Sequence, residues 1–536
     1  MRPHVLSFFP KDDPYPGQIE ALEKIVEVFE SGVNTIILEA PVGFGKSPVA
    51  VTLAKYYGTA HVLTPRKALQ DQYFEDFTSD LVTLKGMSNY PCYPTGSDRA
   101  NRIAERDSDK KGNLNYFKAS TILRSGGTPV FQGLNCGSAP CNKDEELGKA
   151  CLKARTCPYD YAIENVLPKN IIVSNLHSFI ANSARARRMD KRGIMIVDEA
   201  HDMRSILRDY LSKTVTVPLP VYLERMTVPE SEDIQEWVDF FRQERFLNEF
   251  SLEEFKEEYE AQISDLLEYG MRNFVVSIEE KPDFHSTSFK FIPRNLGNSA
   301  EYLLLSYGER RLLMSGTIYD KEYFCRSLGL NADEVFFLRM PSTFAPARKP
   351  IYMKDHHMTD NSFKGLQDNY PQMLSNIRKA FKVYHDVRGL IHSPSYALSE
   401  KLAMDLADSN RVLYHTPENF REVYEFFLNE SPPNAVLISP VCYQGVDLKY
   451  DRARFQLIVR VPYPNISDAY IADLMKRDIG AYTYEALVIF GQMLGRVMRA
   501  PDDWGHTILL DSRFRKFISS YRKFLPQDVL QSIHTR

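Results

Sequence analysis

The sequence predicts an α/β protein: two doubly wound, parallel-sheet domains in series, the first carrying two insertions. Short apolar runs that end in polar motifs recur along the 536 residues, the pattern of parallel strands buried on both faces. They form two sets, each interleaved with helical stretches such as 18–30 and 48–57, which argues for two alternating β/α units. Two stretches without that rhythm, 86–160 and 204–285, interrupt the first set.

In order, the expected strands of the first set are 35–38, 60–63, 171–173, 194–197 and 312–314. Those of the second are 389–391, 412–414, 435–438, 456–459 and 507–510. The interruption at 86–160 is rich in Cys, Gly, Pro and charge. The one at 204–285 reads as helical, with Ile234, Trp237, Val238 and Phe241 at spacings of three and four. From Glu230 to Glu260 it holds twelve acidic residues against three basic ones. That run suits either a solvated helical face or a wall repelling a phosphate backbone. The implied domains are 1–85 with 161–203 and 286–345, the inserts 86–160 and 204–285, and a second unit at 346–536.

Composition is that of a globular protein, 43% hydrophobic and 25% charged. No stretch approaches the ~20 apolar residues that span a bilayer, and the amino terminus lacks a signal-peptide pattern. The expectation is a cytoplasmic protein with no membrane association. The net charge of −4 allows a nucleic-acid partner if the basic residues are gathered along a path.

After the first expected strand comes APVGFGKS, Ala40 to Ser47, followed by a helix. A phosphate-binding loop needs backbone N–H groups curled around the anion, so Gly43 and Gly45 would supply unusual backbone angles. Lys46 would reach the β- and γ-phosphates of ATP, and Ser47 would ligate Mg²⁺. Alone this loop is a weak signal, since Ala40 stands where the pattern has its first glycine. The strand at 194–197 then delivers Asp198-Glu199-Ala200-His201. Beside a phosphate loop, such a pair places one carboxylate on Mg²⁺ and the other on the attacking water. Near the carboxyl end, Gln492, Arg496 and Arg499 are spaced by four and three, which puts them on one face of a continuous helix. Guanidiniums on one face can stabilise transition-state charge on phosphate.

Five of the seven cysteines, Cys92, Cys136, Cys141, Cys151 and Cys157, fall within 66 positions. In a reducing compartment that density points to metal before disulfides. Four thiolates suit zinc and a 4Fe-4S cluster equally by ligand type. Between Arg99 and Arg124 lie seven basic residues and three acidic ones, with Tyr116 and Phe117 among them. This composition fits a track for single-stranded nucleic acid or a solvated charged loop. A second basic run, from Arg185 to Arg192, reads as a surface connection.

These motifs resemble superfamily 2 helicases, and more closely the XPD/DinG iron–sulfur branch, in order from Gln18 to Arg513. YPGQ, ending at Gln18, resembles the Q motif that contacts adenine, and LTPRKALQDQ resembles the nucleic-acid-touching motif Ia. LLMSGT, with Ser315 to Thr317, is similar to motif III, which couples hydrolysis to movement. YQGVDL, with Gly445 and Asp447 assigned to the nucleotide, is similar to motif V, and QMLGRVMRA to motif VI. The resemblance implies two RecA-like motor domains, an iron–sulfur insert and a helical arch-like insert. LKGMSNYPC and TCPYDYA look like the edges of the iron–sulfur domain, nominating Cys92 and Cys157 as outer ligands. Cys141 and Cys151 are the preferred inner pair, with Cys136 and Cys141 the competing one.

The expected activity is therefore an ATP-dependent DNA helicase, a monomer acting on single-stranded and forked duplex DNA, with 5′-to-3′ polarity implied by the resemblance. The rival enzymes are an RNA-directed helicase and a translocase that does not unwind. The rival of another class is a zinc-bearing nucleic-acid-binding module with a vestigial ATPase.

Overall fold

The computed structural model describes residues 4–11, 13–90, 157–186, 189–217, 227–243, 246, 253–268, 270, 272–281, 286–342, 344–353, 363–498 and 502–534. The first motor domain opens with helix α1 (Pro16–Glu30), then strand β1 (Thr35–Glu39), α2 (Lys46–Tyr56), β2 (Ala60–Thr64), α3 (Lys67–Asp76) and β3 (Val82–Leu84). Past the cysteine insertion come α4 (Pro158–Val166), β4 (Ile171–Asn175) and β5 (Arg192–Val197). The second insertion carries β6 (Lys213–Val217), β7 (Phe274–Lys281) and β8 (Ser286–Pro293). The chain then returns through β9 (Gly308–Ser315) and β10 (Val335–Arg339).

The first sheet is parallel in every pairing, in the order β10-β1-β9-β5-β2-β4-β3. Successive residues of its strands enter opposite cores. Ile37, Leu63, Ile172, Met195 and Leu313 pack on one face, and Ile36, Val62, Val173, Ile196 and Leu312 on the other. That period-two partition with both faces buried explains why the strands read as unbroken apolar runs.

The second motor domain repeats the plan with β11 (Ile351–Met353), β12 (Gly389–His392), β13 (Val412–Tyr414), β14 (Val436–Ser439), β15 (Phe455–Ile458), β16 (His506–Leu509) and β17 (Ile533–His534). Its order is β13-β14-β12-β15-β16-β11-β17, again all parallel. The two α/β sheets expected from the sequence are both present.

The second insertion is more than helical. Helices at Ile234–Phe241 and Glu253–Glu268 pack on an antiparallel sheet of order β6-β8-β7. Its separate core gathers Trp237, Phe240, Phe241, Tyr259, Phe289 and Phe291. β8 belongs to this small sheet, so the return to the motor sheet comes at β9. The alternating apolar residues of β7 and β8 lie among charges that mask their period. Ile292 then packs with Tyr470 and Leu474, and Arg294 pairs with Asp473 at 3.0 Å, so the insertion rests on the second motor domain.

Two local expectations need correction. Arg192, placed on a surface connection, is buried at the start of β5, where its guanidinium donates to the carbonyls of Leu167, Lys169 and Asn170. The motif VI helix, Ile479–Leu494, stops at Gly495, so Arg496 lies past its end instead of on a shared helical face. Among the described residues, no helix is long and apolar enough to cross a membrane.

Candidate nucleotide site at the domain seam

A cleft of about 570 Å³ runs between the motor domains. From the first domain it is lined by Gln18, Gly43, Gly45, Lys46, Ser47, Asp198 and Glu199, and from the second by Lys449, Gln492 and Arg496. The loop from Gly43 to Ser47 follows β1 and the Asp198-Glu199 pair follows β5, at the carboxyl ends of parallel strands where open α/β sheets place their ligands.

The loop between β1 and α2 turns through Gly43 at φ +79° and Gly45 at φ +80°. At Gly45 a Cβ would lie 2.2 Å from Gln18 Nε2, so a side chain there fails on space as well as on backbone angle. Gln18 is buried and holds this loop, donating to Phe44 O at 2.9 Å and Gly45 O at 3.1 Å. Its Oε1 accepts from the Tyr15 amide at 2.8 Å.

Asp198 is 2% exposed and accepts from the Tyr73 hydroxyl at 2.9 Å and from the Glu199 amide at 3.0 Å. Burial, reinforced by the Glu199 charge and opposed by Lys46, pushes its carboxyl up to about 6. A carboxylate held at such cost suits a position where a cation would repay it. Glu199 sits in the left-handed region at φ +50°, 3.9 Å from Lys46 Nζ. Strained backbone of this kind is characteristic of functional sites. His201 Nδ1 lies 2.9 Å from Ser315 Oγ, tying the DEAH turn to motif III.

From the second domain, Gln492 Nε2 donates to Thr317 Oγ1 at 2.7 Å. Arg496 donates to Val446 O at 2.9 Å and to Gln492 Oε1 at 3.1 Å, binding motif V to motif VI. Gly445, at φ +72°, and the half-buried Asp447 do not line the cleft. Asp447 instead stands 3.8 Å from both Lys449 and Arg452. Arg499 lies outside the described residues, as do Cys92, Cys136, Cys141 and Cys151. Cys157 is described: half-buried, it caps α4 and packs against the core of the first sheet. Among the described residues no cluster of three metal-ligating side chains occurs.

Sequence reading missed Tyr73 and Lys449. Tyr73 reads only as an apolar position of α3, and its link to Asp198 spans 125 residues. Thr317 and Gln492 each stood inside a recognised motif, but their pairing across the seam had no sequence signal.

Three family profiles match the chain: the Helicase C-terminal domain over 378–532, the type III restriction enzyme res subunit over 11–131, and DEAD_2 over 138–218. Among curated proteins, it is 27% identical over 224 residues to one named "Probable ATP-dependent helicase MJ0942" from Methanocaldococcus jannaschii, covering 39% of this chain and 32% of the relative. It is 29% identical over 126 residues to the Fanconi anemia group J protein homolog of Gallus gallus, covering 20% of this chain and 10% of the relative. The matched part is thus less than a third of either relative's length. Of solved structures, an XPD helicase aligns at TM-score 0.61 and 15% identity over 98% of this chain and all of its own. Xpd4 of S. tokodaii aligns at 0.56 and 14% identity over 97% of this chain and all of its own. In motif order, in these three profiles and in fold, the chain is similar to XPD/DinG-like superfamily 2 helicases.

Proposed function

We propose that the protein is an ATP-dependent DNA helicase that moves 5′-to-3′ on single-stranded DNA, with a 4Fe-4S domain that helps part the duplex. The observation that carries the proposal is the cleft lined by phosphate-loop and Asp-Glu residues from one domain and Gln492 and Arg496 from the other. In this reading the loop amides and Lys46 bind the ATP phosphates, while Ser47 and Asp198 would hold Mg²⁺, which supplies charge neutralisation when bound. Glu199 orients the attacking water. Gln18 fixes the phosphate loop from behind, and Arg496 with Arg499 stabilises charge on the transferred phosphoryl group. Because the two halves of the site belong to different domains, ATP favours closure and hydrolysis releases it.

The proposed cluster ligands are Cys92, Cys141, Cys151 and Cys157. The half-buried Cys157 at a helix amino terminus, where a thiolate is favoured, is consistent with that role. A cluster would give rigidity to a segment whose sequence is rich in Cys, Gly, Pro and charge.

Forked DNA carrying a 5′ or a 3′ single-stranded tail tests the activity. ATP-dependent unwinding of the 5′-tailed fork is expected. Preference for the 3′ tail or for RNA would overturn the polarity or the substrate, and hydrolysis without unwinding would leave a translocase. Iron and zinc content of anaerobically purified protein tests the metal: iron is expected, falling in Cys157→Ser, and zinc in its place would refute the cluster.

A further inference from the structure

The last residue of β1, Glu39, belongs to none of the recognised motifs and is 3% exposed. Its Oε2 accepts from the backbone amides of Ile318, at 3.0 Å, and Tyr319, immediately after the motif III triplet. Its Oε1 forms an ion pair with Arg339 at 2.6 Å, and Arg339 also donates to Tyr319 O at 2.8 Å. Burial pushes the Glu39 carboxyl upward, and Arg339 with the two amides opposes that push. A buried carboxylate with this many partners is costly to disturb, because removing one leaves an uncompensated group.

The same loop is gripped from the other domain. Tyr484 Oη donates to Ile318 O at 2.7 Å, and Gln492 donates to Thr317. Tyr319, at φ +59°, lies so close to the motif VI helix that a Cβ on Gly491 would come 1.8 Å from its hydroxyl. For a bulky side chain that backbone region is strained, and it persists only where the surroundings fix it. On the first-domain side the path continues directly: Ala40, the next residue after Glu39, donates its amide to Ser315 O at 2.9 Å and opens the phosphate loop.

We propose that Glu39, clamped by Arg339, is the positioning residue through which second-domain contacts to the motif III loop reach the phosphate loop. Glu39 does not line the cleft. Tyr484 and Gln492 report the position of the second domain to residues 317–319, and Glu39 converts the position of their amides into the placement of Ala40 to Ser47. The inference rests on the ATPase reading above and assigns the regulation of that site.

The test is a double-mutant cycle on steady-state ATP hydrolysis with and without single-stranded DNA, after thermal melting has established folding. Glu39→Gln keeps the shape but loses the charge facing Arg339, and Tyr484→Phe removes one hydroxyl from the opposite side. Each is expected to lower DNA-stimulated kcat by about tenfold, leaving KM for ATP within about twofold. The double variant is expected to be no worse than the poorer single one, because both act through one loop. Parent-like stimulation in Glu39→Gln, or losses that multiply in the double variant, would overturn the proposal. A general loss of ATP affinity in step with kcat would also overturn it, since that marks a merely structural residue. Should Glu39→Gln not fold, Tyr484→Phe decides alone: stimulation unchanged from the parent overturns the path. A parent whose hydrolysis ignores DNA defeats the DNA-helicase reading itself, an outcome distinct from all of these.

Discussion

The two motor sheets share strand number and parallel pairing, yet their strand ends carry different chemistry. In the first, β1 ends in the buried Glu39, and Asp198 and Glu199 follow β5 directly. In the second, Asp511 past β16 is buried but paired with Arg513, and a neutral hydrogen-bonded chain crosses neighbouring strands. His392 Nε2 donates to Gln456 Oε1 at 2.9 Å, and Gln456 Nε2 donates to Thr507 Oγ1 at 2.9 Å. Both of these bonds join neutral groups, so the chain ties neighbouring strands together without placing a charge there. The comparison teaches how one architecture divides labour. The first domain spends stability on buried carboxylates and strained turns, and the second contributes groups near and past a helix end, Gln492 and Arg496, that line the cleft from the other side.

The largest expected effect breaks the first half of that comparison. Glu199→Gln should bind ATP and hydrolyse it ~10²–10⁴-fold more slowly, the usual contribution of proton transfer and water positioning. Nucleotide binding and single-turnover hydrolysis measure both quantities, and near-parental turnover would remove Glu199 from the role.

Arg499→Ala tests the second half. Its charge matters most in the transition state, so kcat should fall while ATP affinity stays close to the parent's. Weakened binding with unchanged kcat would instead mark an ordinary phosphate contact.

A smaller effect sharpens the metal side. Tyr73→Phe deletes a hydrogen bond to the buried Asp198 carboxylate, a bond of a class worth ~1.5–3 kcal/mol. Turnover at limiting Mg²⁺ should drop by about tenfold, and saturating Mg²⁺ should restore much of it. Equal loss at all Mg²⁺ concentrations would separate Tyr73 from the metal site.

The smallest effect is shared by both sheets. His61 in β2 and His392 in β12 are each held down to about 4 by burial. An unfolded imidazole takes up its proton near 6.5, so between those values the unfolded chain binds more protons. Their stabilisation is complete above about 6.5 and is lost as pH falls toward 4. The buried Asp198 and Glu39 carboxyls act in the opposite sense, so the informative quantity is a difference between proteins. His61→Gln should lose less melting temperature than the parent between pH 7.5 and pH 5. Equal losses would show that His61 is not neutral in the fold.

Much of this was legible in advance because buried parallel strands announce themselves as apolar runs. All ten expected strands are present, while β3, β10, β11 and β17 of the parallel sheets and β6, β7 and β8 of the second insertion were overlooked. β3, β11 and β17 are only two or three residues long, too short to stand out as apolar runs, and β10, though apolar from Val335 to Leu338, was passed over at a sheet edge. The phosphate loop and Asp-Glu pair were found because their chemistry is local in sequence. Tyr73 and Glu39 were not, nor was the pairing of Thr317 with Gln492, because each contact spans more than a hundred residues. Helix periodicity misled at Arg496, since Gly495 ends the helix just before it.

Hydrolysis shared between both domains should answer to nucleic acid. Steady-state phosphate release with and without single-stranded DNA tests it most directly, in the parent and in Gln492→Ala, which cuts the seam contact to Thr317. DNA should raise parental turnover by at least about tenfold, and most of that rise should vanish in the variant, with ATP affinity largely kept. A parental rate indifferent to DNA, or a variant stimulated as strongly as the parent, would contradict it.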